Sequence, residues 1–354
     1  MPIMPSGNGV CPMKLPNSRE FVEAGLSGSL INALVELEDA AALITAGLSL
    51  SLAGTARALR SLPAGNWIGG TTPYFMTVEG GTVVGDDRVF VTNLSALGSV
   101  TVACFGPGEL DRISGDAPES GFALAIMPAE SECHGSFALD APFYPQAFIK
   151  PTVGWISGYL LSDGGPALVF DGRNGTSHTN RVVVAHVDLG EGALAVPAIV
   201  NPFRAGSGEV LSFSEPGFVH TMVMVDGIAM PFAEYCVEEG FGGGQVPLVG
   251  DYGGAAINVS IREVDRNTGE VHLYAPVFPG VEYRFAEPLY DYVSALAEGI
   301  SAGQQDAFWS CNCILNFLFG HLEGKAVGGV AGPVTFGEIA YQLVNQTFVS
   351  IRKL

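Results

Sequence analysis

Positive charge is scarce in this chain. Sixteen Lys and Arg stand against 36 Asp and Glu, a formal net charge of −20 over 354 residues. No Lys/Arg cluster occurs along the sequence, so long-range attraction to phosphate backbones or anionic membranes is not expected, and no nucleic-acid partner is expected. Long apolar runs are lacking too. The most apolar stretch, AAALITAGLSLSLAG (40–54), holds a Thr and two Ser and falls short of the roughly 20 residues that span a bilayer. No membrane span is expected. Residues 1–20, MPIMPSGNGVCPMKLPNSRE, lack an apolar core of signal-peptide length, which points to a cytoplasmic location. Six cysteines in so large a chain without a secretory signal are expected as free thiols. Catalytic and phosphate-binding signatures are missing as well: there is no HExxH and no G-x-x-x-x-G-K-[ST]. Enzymatic activity has no positive support in local motifs and stays open, because triads are spatial and not sequential.

What is present is a large potential core. Apolar residues make up 48% and charged residues 15% of the chain, which argues against disorder and suits two domains. The stretch 37–47 reads as a helix, with Glu38 and Asp39 at its positive end and Gly47 at its stop. LAGTARALRSLP (52–63) reads as a second helix, and NWIGGTTPYFM (66–76) as a strand broken by a glycine turn. Short β-rich runs follow: RVFVTNL, SVTVACFG, GFALAIMP, PALVFDG, RVVVAHVDL and AVPAIVNPF. Two hairpins are marked by Asp226-Gly227 and Asn267-Thr268-Gly269. Helices are expected again at 231–240, 288–301 and 313–324, and a closing strand at QTFVSIRKL. No repeat of 20–50 residues is visible. The pattern predicts an α/β (α+β) protein: two related halves of mixed, largely antiparallel β-sheet with packed helices. Residues 1–34 form an arm and lead-in, and a boundary near NPFRAGSGE separates 35–203 from 204–354.

Several residues invite a chemical reading. Cys311 and Cys313 sit one apart where a strand meets a helix, so both thiols face one side, and Cys313 lies near peptide N–H groups that stabilise a thiolate. That suits a redox thiol pair, a soft-metal site or a haem thiolate; equally, the two are small buried hydrophobes beside Phe308 and Trp309. Cys133-His134 reads as part of a solvated loop and adds two candidate metal ligands to Cys311 and Cys313. His186, His220 and His272 read as structural. His321 comes a little over two helical turns after Cys313 and need not face the same pocket. Trp67 to Thr72, with Gly69, Gly70, Thr71 and Thr72, offers open backbone N–H groups and two hydroxyls, or simply a tight turn. Glu338 is either a buried carboxylate at a ligand or, the favoured reading, the cap of a helix through IAYQLV; Asn345 reads as a turn residue.

The second half carries VDGIAMPFAEYCVEEG, VPLV, a hairpin ending in VFPG, then WSCNCIL, VTFGEIA and VNQTFV. In this order the series resembles the C-terminal domain of the FIST family of sensory proteins. WIGGTTPYF and GWISG in the first half resemble its N-terminal domain, and the resemblance covers about residues 35–354. It implies paired N- and C-terminal FIST domains forming an intracellular signal-input module that binds a small ligand and acts through a partner protein. Amino acids are the ligands proposed for the family, and some bacterial members are associated with haem and nitric oxide sensing. The ligand residues implied are Gly69, Gly70, Thr71, Thr72, Cys311, Cys313, Glu338 and Asn345. One departure stands out: the family commonly has an arginine three residues after its Ser-Cys, and here that residue is Ile314. Three functions are thus carried forward: a ligand sensor acting as a monomer or a homo-oligomer, a thiol-based redox switch or enzyme, and a haem-binding gas sensor. The first requires the thiols and the Gly-Thr turn to share one hollow.

Overall fold

Three times the chain runs strand, short helix, parallel strand. Leu50–Gly54 is followed by the helix Ala56–Arg60 and pairs in parallel with Trp67–Thr71. Gly121–Pro128, the helix Glu132–Asp140 and Thr152–Ser157 form the second unit. Ala307–Cys313, the helix Ile314–Phe319 and Gly332–Thr335 form the third. These units come from a computed structural model that describes residues 18–301 and 306–354. All other strand pairs among the described residues are antiparallel, so the fold is α+β with mixed, largely antiparallel sheets and packed helices. Residues 1–17 of the expected N-terminal arm and lead-in lie outside the described residues; Ser18–Leu26 is a helix.

The strands fall into four six-stranded sheets and one of three strands. Early and late segments are interleaved in two of them. In one, the late hairpin 338–344 adds to Thr152–Ser157, Gly121–Pro128, Val182–Asp188 and Ser99–Phe105. In the other, the early hairpin 74–83 adds to Gly332–Thr335, Ala307–Cys313, Phe348–Lys353 and Ala195–Val200. Central strands such as GFALAIMP are buried along their whole length, which explains why they read as unbroken apolar runs instead of alternating ones. Ile68, Phe122, Trp155, Trp309, Cys311 and Val349 belong to one core cluster that binds these sheets together. The three-stranded sheet (217–220, 270–277, 261–265) leans its apolar face on a second cluster with Met127, Phe137 and Val259.

Both marked hairpins form. At the first, Asp226 (φ 46°) and Gly227 (φ 82°) are both left-handed, as a two-residue turn of this twist requires. Several expectations are corrected. The helix expected over 52–63 begins only at Ala56: Leu50–Gly54 is paired on both sides, to Trp67–Thr71 and Arg88–Asn93, and sheet burial overrides the helical spacing. Thr55 then caps the helix by accepting from Ala58 N–H. The helix expected over 288–301 starts at Tyr292, where Asp291 accepts from Ser294 N–H at 3.0 Å. The one expected over 313–324 ends at Phe319, before Gly320 and a left-handed His321. Cys133-His134 lies not in a loop but in the first turn of Glu132–Asp140, capped by Ser131. Glu338 caps no helix. It opens a strand, Glu338–Ala340, which turns at left-handed Tyr341 and pairs with Gln342–Val344.

Candidate ligand-binding cavity

A cavity of about 500 Å³ opens where two of the parallel pairs end. Ser131 and His134 reach it from the unit that follows Gly121–Pro128, and Cys313, Ile314 and Leu315 from the unit that follows Ala307–Cys313. Tyr159 and Phe336, one just after each second strand, lie 5.0 Å apart between ring centres and form a shared wall. The three-stranded sheet closes the other side with Phe218, Arg262 and Tyr274. The carboxyl ends of parallel strands are where open α/β sheets place ligands, because the connecting helices leave a crevice there.

Two cavity-lining side chains carry polar atoms with no hydrogen-bond partner. His134 accepts the Glu130 backbone N–H on Nδ1 at 3.3 Å. That bond assigns the proton to Nε2, a donor left without a partner and closed to solvent. Burial pushes its pKa down to about 4, so the ring is neutral at pH 7. The imidazole meets the Phe218 ring edge-on, 6.2 Å between centres. Asn345 Nδ2 is the second orphan. Its Oδ1 sits 3.2 Å from Ser260 Oγ, whose single proton has a better acceptor in Gln346 Oε1 at 2.6 Å. The Asn345 amide can therefore turn over and offer the cavity either N–H or C=O. Arg262, half-exposed, pairs with Glu130 at 3.2 Å; an exposed pair of this kind holds by only about 0–1 kcal/mol.

Behind this wall lies a buried acidic group. Glu338 is fully buried. Its Oε2 accepts from Thr347 Oγ1 at 2.9 Å and Thr347 N–H at 3.3 Å, its Oε1 from Thr335 Oγ1 at 3.3 Å, and the Cys313 thiol bonds to the same carboxyl. Among the described residues no cation accompanies these donors, and burial dominates and pushes the Glu338 pKa up to about 8. Cys311 and Cys313 are raised well above the ordinary thiol value, first by burial and then by Glu338. The thiolate expected from the helix N-terminus is thus outweighed: the Leu315 N–H favours it, but burial and Glu338 dominate, and the Cys313 thiol makes no geometric cap bond and spends its proton on Glu338. Asn345, Gln346 and Thr347 belong to a buried polar knot. In it Asn316 Nδ2 donates to Thr347 O at 3.0 Å and to Asn312 Oδ1 at 2.8 Å, and Asn258 Nδ2 donates to Gln346 O at 3.2 Å.

The structure brings together only part of the expected set. Cys313 and Asn345 line the cavity and Glu338 is buried behind Cys313, whereas Cys311 packs in the sheet core with its thiol donating to Gly154 O at 3.6 Å. Gly69 and Gly70 lie in a buried strand, where a Cβ on Gly70 would stand 2.6 Å from Ile126 and 2.7 Å from Trp155; these glycines admit packing, not a ligand. Thr71 Oγ1 is taken by Gly158 O (2.6 Å) and Leu168 N–H (2.9 Å), and Thr72 Oγ1 by Val334 O (2.6 Å). Thr71 and Thr72 border a different hollow. The expected shared hollow is replaced by two, touching at Tyr159, which lines both.

Residues 35–353 match the model of a family of unknown function (DUF6976). The chain belongs to that family. No curated protein and no solved structure matches it. In this DUF6976 member no group of three or more His, Cys, Asp or Glu side chains gathers as a metal site among the described residues. Of the four candidate ligands only Cys313 and His134 line the cavity; Cys133 is buried in an apolar cluster with its pKa pushed up to about 11 by that burial. These donors do not fit a metal or a haem thiolate. No described helix is long and apolar enough to cross a membrane.

His134 as a polar cavity residue, together with Arg262, Tyr159, Phe218 and Phe336, escaped the sequence reading. One signal was available. GFALAIMP-AES-ECH has the same order as AFWSCN-C-ILN: a buried strand, a capping residue, then a helix whose first turn looks back past the strand's end.

Proposed function

We propose that this chain is a small-ligand-binding sensory module of FIST type, with the cavity between His134, Cys313 and Asn345 as its receptor and a separate partner protein reading its state. The observation that carries this reading is the pair of unpartnered polar groups on an otherwise mostly apolar cavity wall. A buried polar group left unpaired costs about 1–3 kcal/mol, which a ligand atom of the right kind recovers. The ligand is a small molecule with an apolar body, resting on Phe218, Phe336, Leu315 and Ile314, and at least one hydrogen-bond acceptor for His134 Nε2–H.

Ile314 lines the cavity in place of the arginine that the FIST resemblance implies. An anionic group on the ligand therefore meets two other features. One is Arg262, freed from a weak surface pair; the other is the first turn of Glu132–Asp140, whose positive end borders the cavity at Ser131. Binding shifts the balance between two arrangements of the Tyr159–Phe336 wall, and the partner responds to the populated one. A cytoplasmic site of action goes with this reading.

The test is native mass spectrometry of the purified protein after incubation with a small-molecule extract, beside the variants His134→Ala and Asn345→Ala. A discrete adduct on the wild type, lost or weakened about tenfold in both variants at unchanged melting temperature, is the expected result; tenfold is about 1.4 kcal/mol, within the range of one lost buried hydrogen bond. Equal adducts on all three proteins, or none on the wild type, reject the assignment.

A further inference from the structure

The unit that ends in Cys313 has a counterpart in the first half of the chain. Gly54 stands opposite Thr71 in one parallel pair, and Asn312 opposite Val334 in the other. Thr55 and Cys313 are then equivalent, and both are helix N-caps with closely similar backbones: φ −68°, ψ 158° and φ −70°, ψ 142°. By the same register Thr72 takes the place of Thr335, and both are fully buried. A hollow of about 440 Å³ lies at the end of the first unit, as the 500 Å³ cavity lies at the end of its twin.

The backbones correspond; the side chains do not. Where the cavity has Leu315 and Leu318, the hollow has Arg57 and Arg60, three apart and so on one helix face. No hydrogen bond or ion pair engages Arg60 among the described residues. Arg57 has one contact, Asp86 at 3.6 Å, with the two side chains 87% and 46% exposed. Such a pair contributes about 0–1 kcal/mol and yields readily to a better partner. The two carboxylates in the hollow already accept from hydroxyls: Asp86 from Thr55 Oγ1 at 2.5 Å and Asp163 from Ser162 Oγ at 2.8 Å. Thr71 and Thr72 have spent their hydroxyls on the backbone and give the hollow shape, not bonds.

We propose that this hollow is a second ligand site, taking a small dianion, either a phosphoryl group or a short dicarboxylate, between the guanidinium groups of Arg57 and Arg60. Planar guanidinium forks suit both anions, because each presents paired oxygens to paired N–H donors. The site stands on the repeat and the arginines alone, independent of what fills the larger cavity.

Isothermal titration of the full chain at low salt with inorganic phosphate, and separately with succinate, tests it. The expected result is saturable one-to-one binding of at least one probe, weakened about tenfold or more by Arg60→Gln and by Arg57→Gln. It is expected to weaken with added salt and to remain unchanged in the His134→Ala/Asn345→Ala double variant. Both arginines are exposed, so melting of the variants is expected to match the wild type. Binding of phosphate alone assigns a phosphoryl ligand; binding of succinate alone assigns a dicarboxylate. No saturable heat with either probe, or an Arg60→Gln titration indistinguishable from the wild type, overturns the proposal.

Discussion

The two strand–helix units whose hollows share Tyr159 have one backbone plan and use it in opposite ways. At Thr55 the capping side chain does the ordinary work of a cap: it accepts from Ala58 N–H and donates to Asp86 at the surface. At Cys313 the same position makes no cap bond, and its thiol turns inward to a buried carboxyl. The helix after Thr55 shows arginines to water; the helix after Cys313 buries Ile314, Leu315, Asn316 and Phe317. A strand–cap–helix unit thus fixes where a hollow forms and leaves its chemistry to a few side chains.

The comparison can be broken first at its glycines. Gly69 and Gly332 occupy equivalent places by the parallel register. A Cβ on Gly332 would stand 2.2 Å from the Ser310 carbonyl oxygen, whereas on Gly69 the nearest atom is a Trp67 ring carbon at 3.1 Å. Backbone cannot give way as a ring can. Gly332→Ala is expected to cost about 3 kcal/mol, and Gly69→Ala under about 1 kcal/mol, by denaturant unfolding. Equal costs would mean that the two units do not correspond in their packing.

The acid–base behaviour of the cavity comes next. Between pH 4.5 and about 8, native Glu338 holds a proton that the unfolded chain has released. Stability then falls as pH rises through that window, by up to about 1.4 kcal/mol per pH unit for one proton. His134 acts in the other direction. Its native pKa of about 4 lies below the ordinary value of 6.5. The unfolded chain binds the extra proton between these values, and stability falls as pH drops through them. Glu338→Gln is expected to flatten the alkaline side of the stability profile and His134→Gln to lessen the acid side, both read from unfolding midpoints across pH.

A smaller difference lies in the caps. Thr55→Ala is expected to cost about 1 kcal/mol by leaving Ala58 N–H unpaired. Cys313→Ala loses no cap bond. Its cost comes from removing a donor to Glu338, so it is expected to shrink in a Glu338→Gln background, and a double-mutant cycle reads that coupling directly. The smallest effect concerns the thiols. Cys311 and Cys313 are expected to resist alkylation in the native protein even at pH 8.5, where an unperturbed thiol is half ionised, and to react on unfolding; quantitative alkylation followed by mass analysis checks it.

Much of the β framework was legible because its strands are continuous apolar runs bounded by Gly, Pro or Asp, and both hairpins carried their turn residues. The errors fall at strand–helix junctions. LSLAGTARALR places small and apolar residues at spacings that serve either a buried strand or a helix, and only the two neighbouring strands decide between them. AESECHGSF has the composition of a loop, yet Ser131 caps a helix whose first turn faces the cavity. The same blindness hid the internal repeat: Gly and Thr in GGTT and GPVT are all that the two units share there in sequence, while their register and caps agree. Of the candidate site, Cys313 was legible from its spacing where a strand meets a helix, and Asn345 from motif order. His134 was noticed only as a metal ligand, since which donor is left unpaired is a property of three-dimensional packing.

The central claim is that the cavity beside Cys313 is a receptor, and native mass spectrometry of the wild type beside the His134→Ala/Asn345→Ala double variant, after exposure to the same small-molecule extract, tests it most directly. The account predicts a single bound species of low mass on the wild type that is absent from a double variant of equal thermal stability. An adduct retained unchanged by the double variant would contradict it.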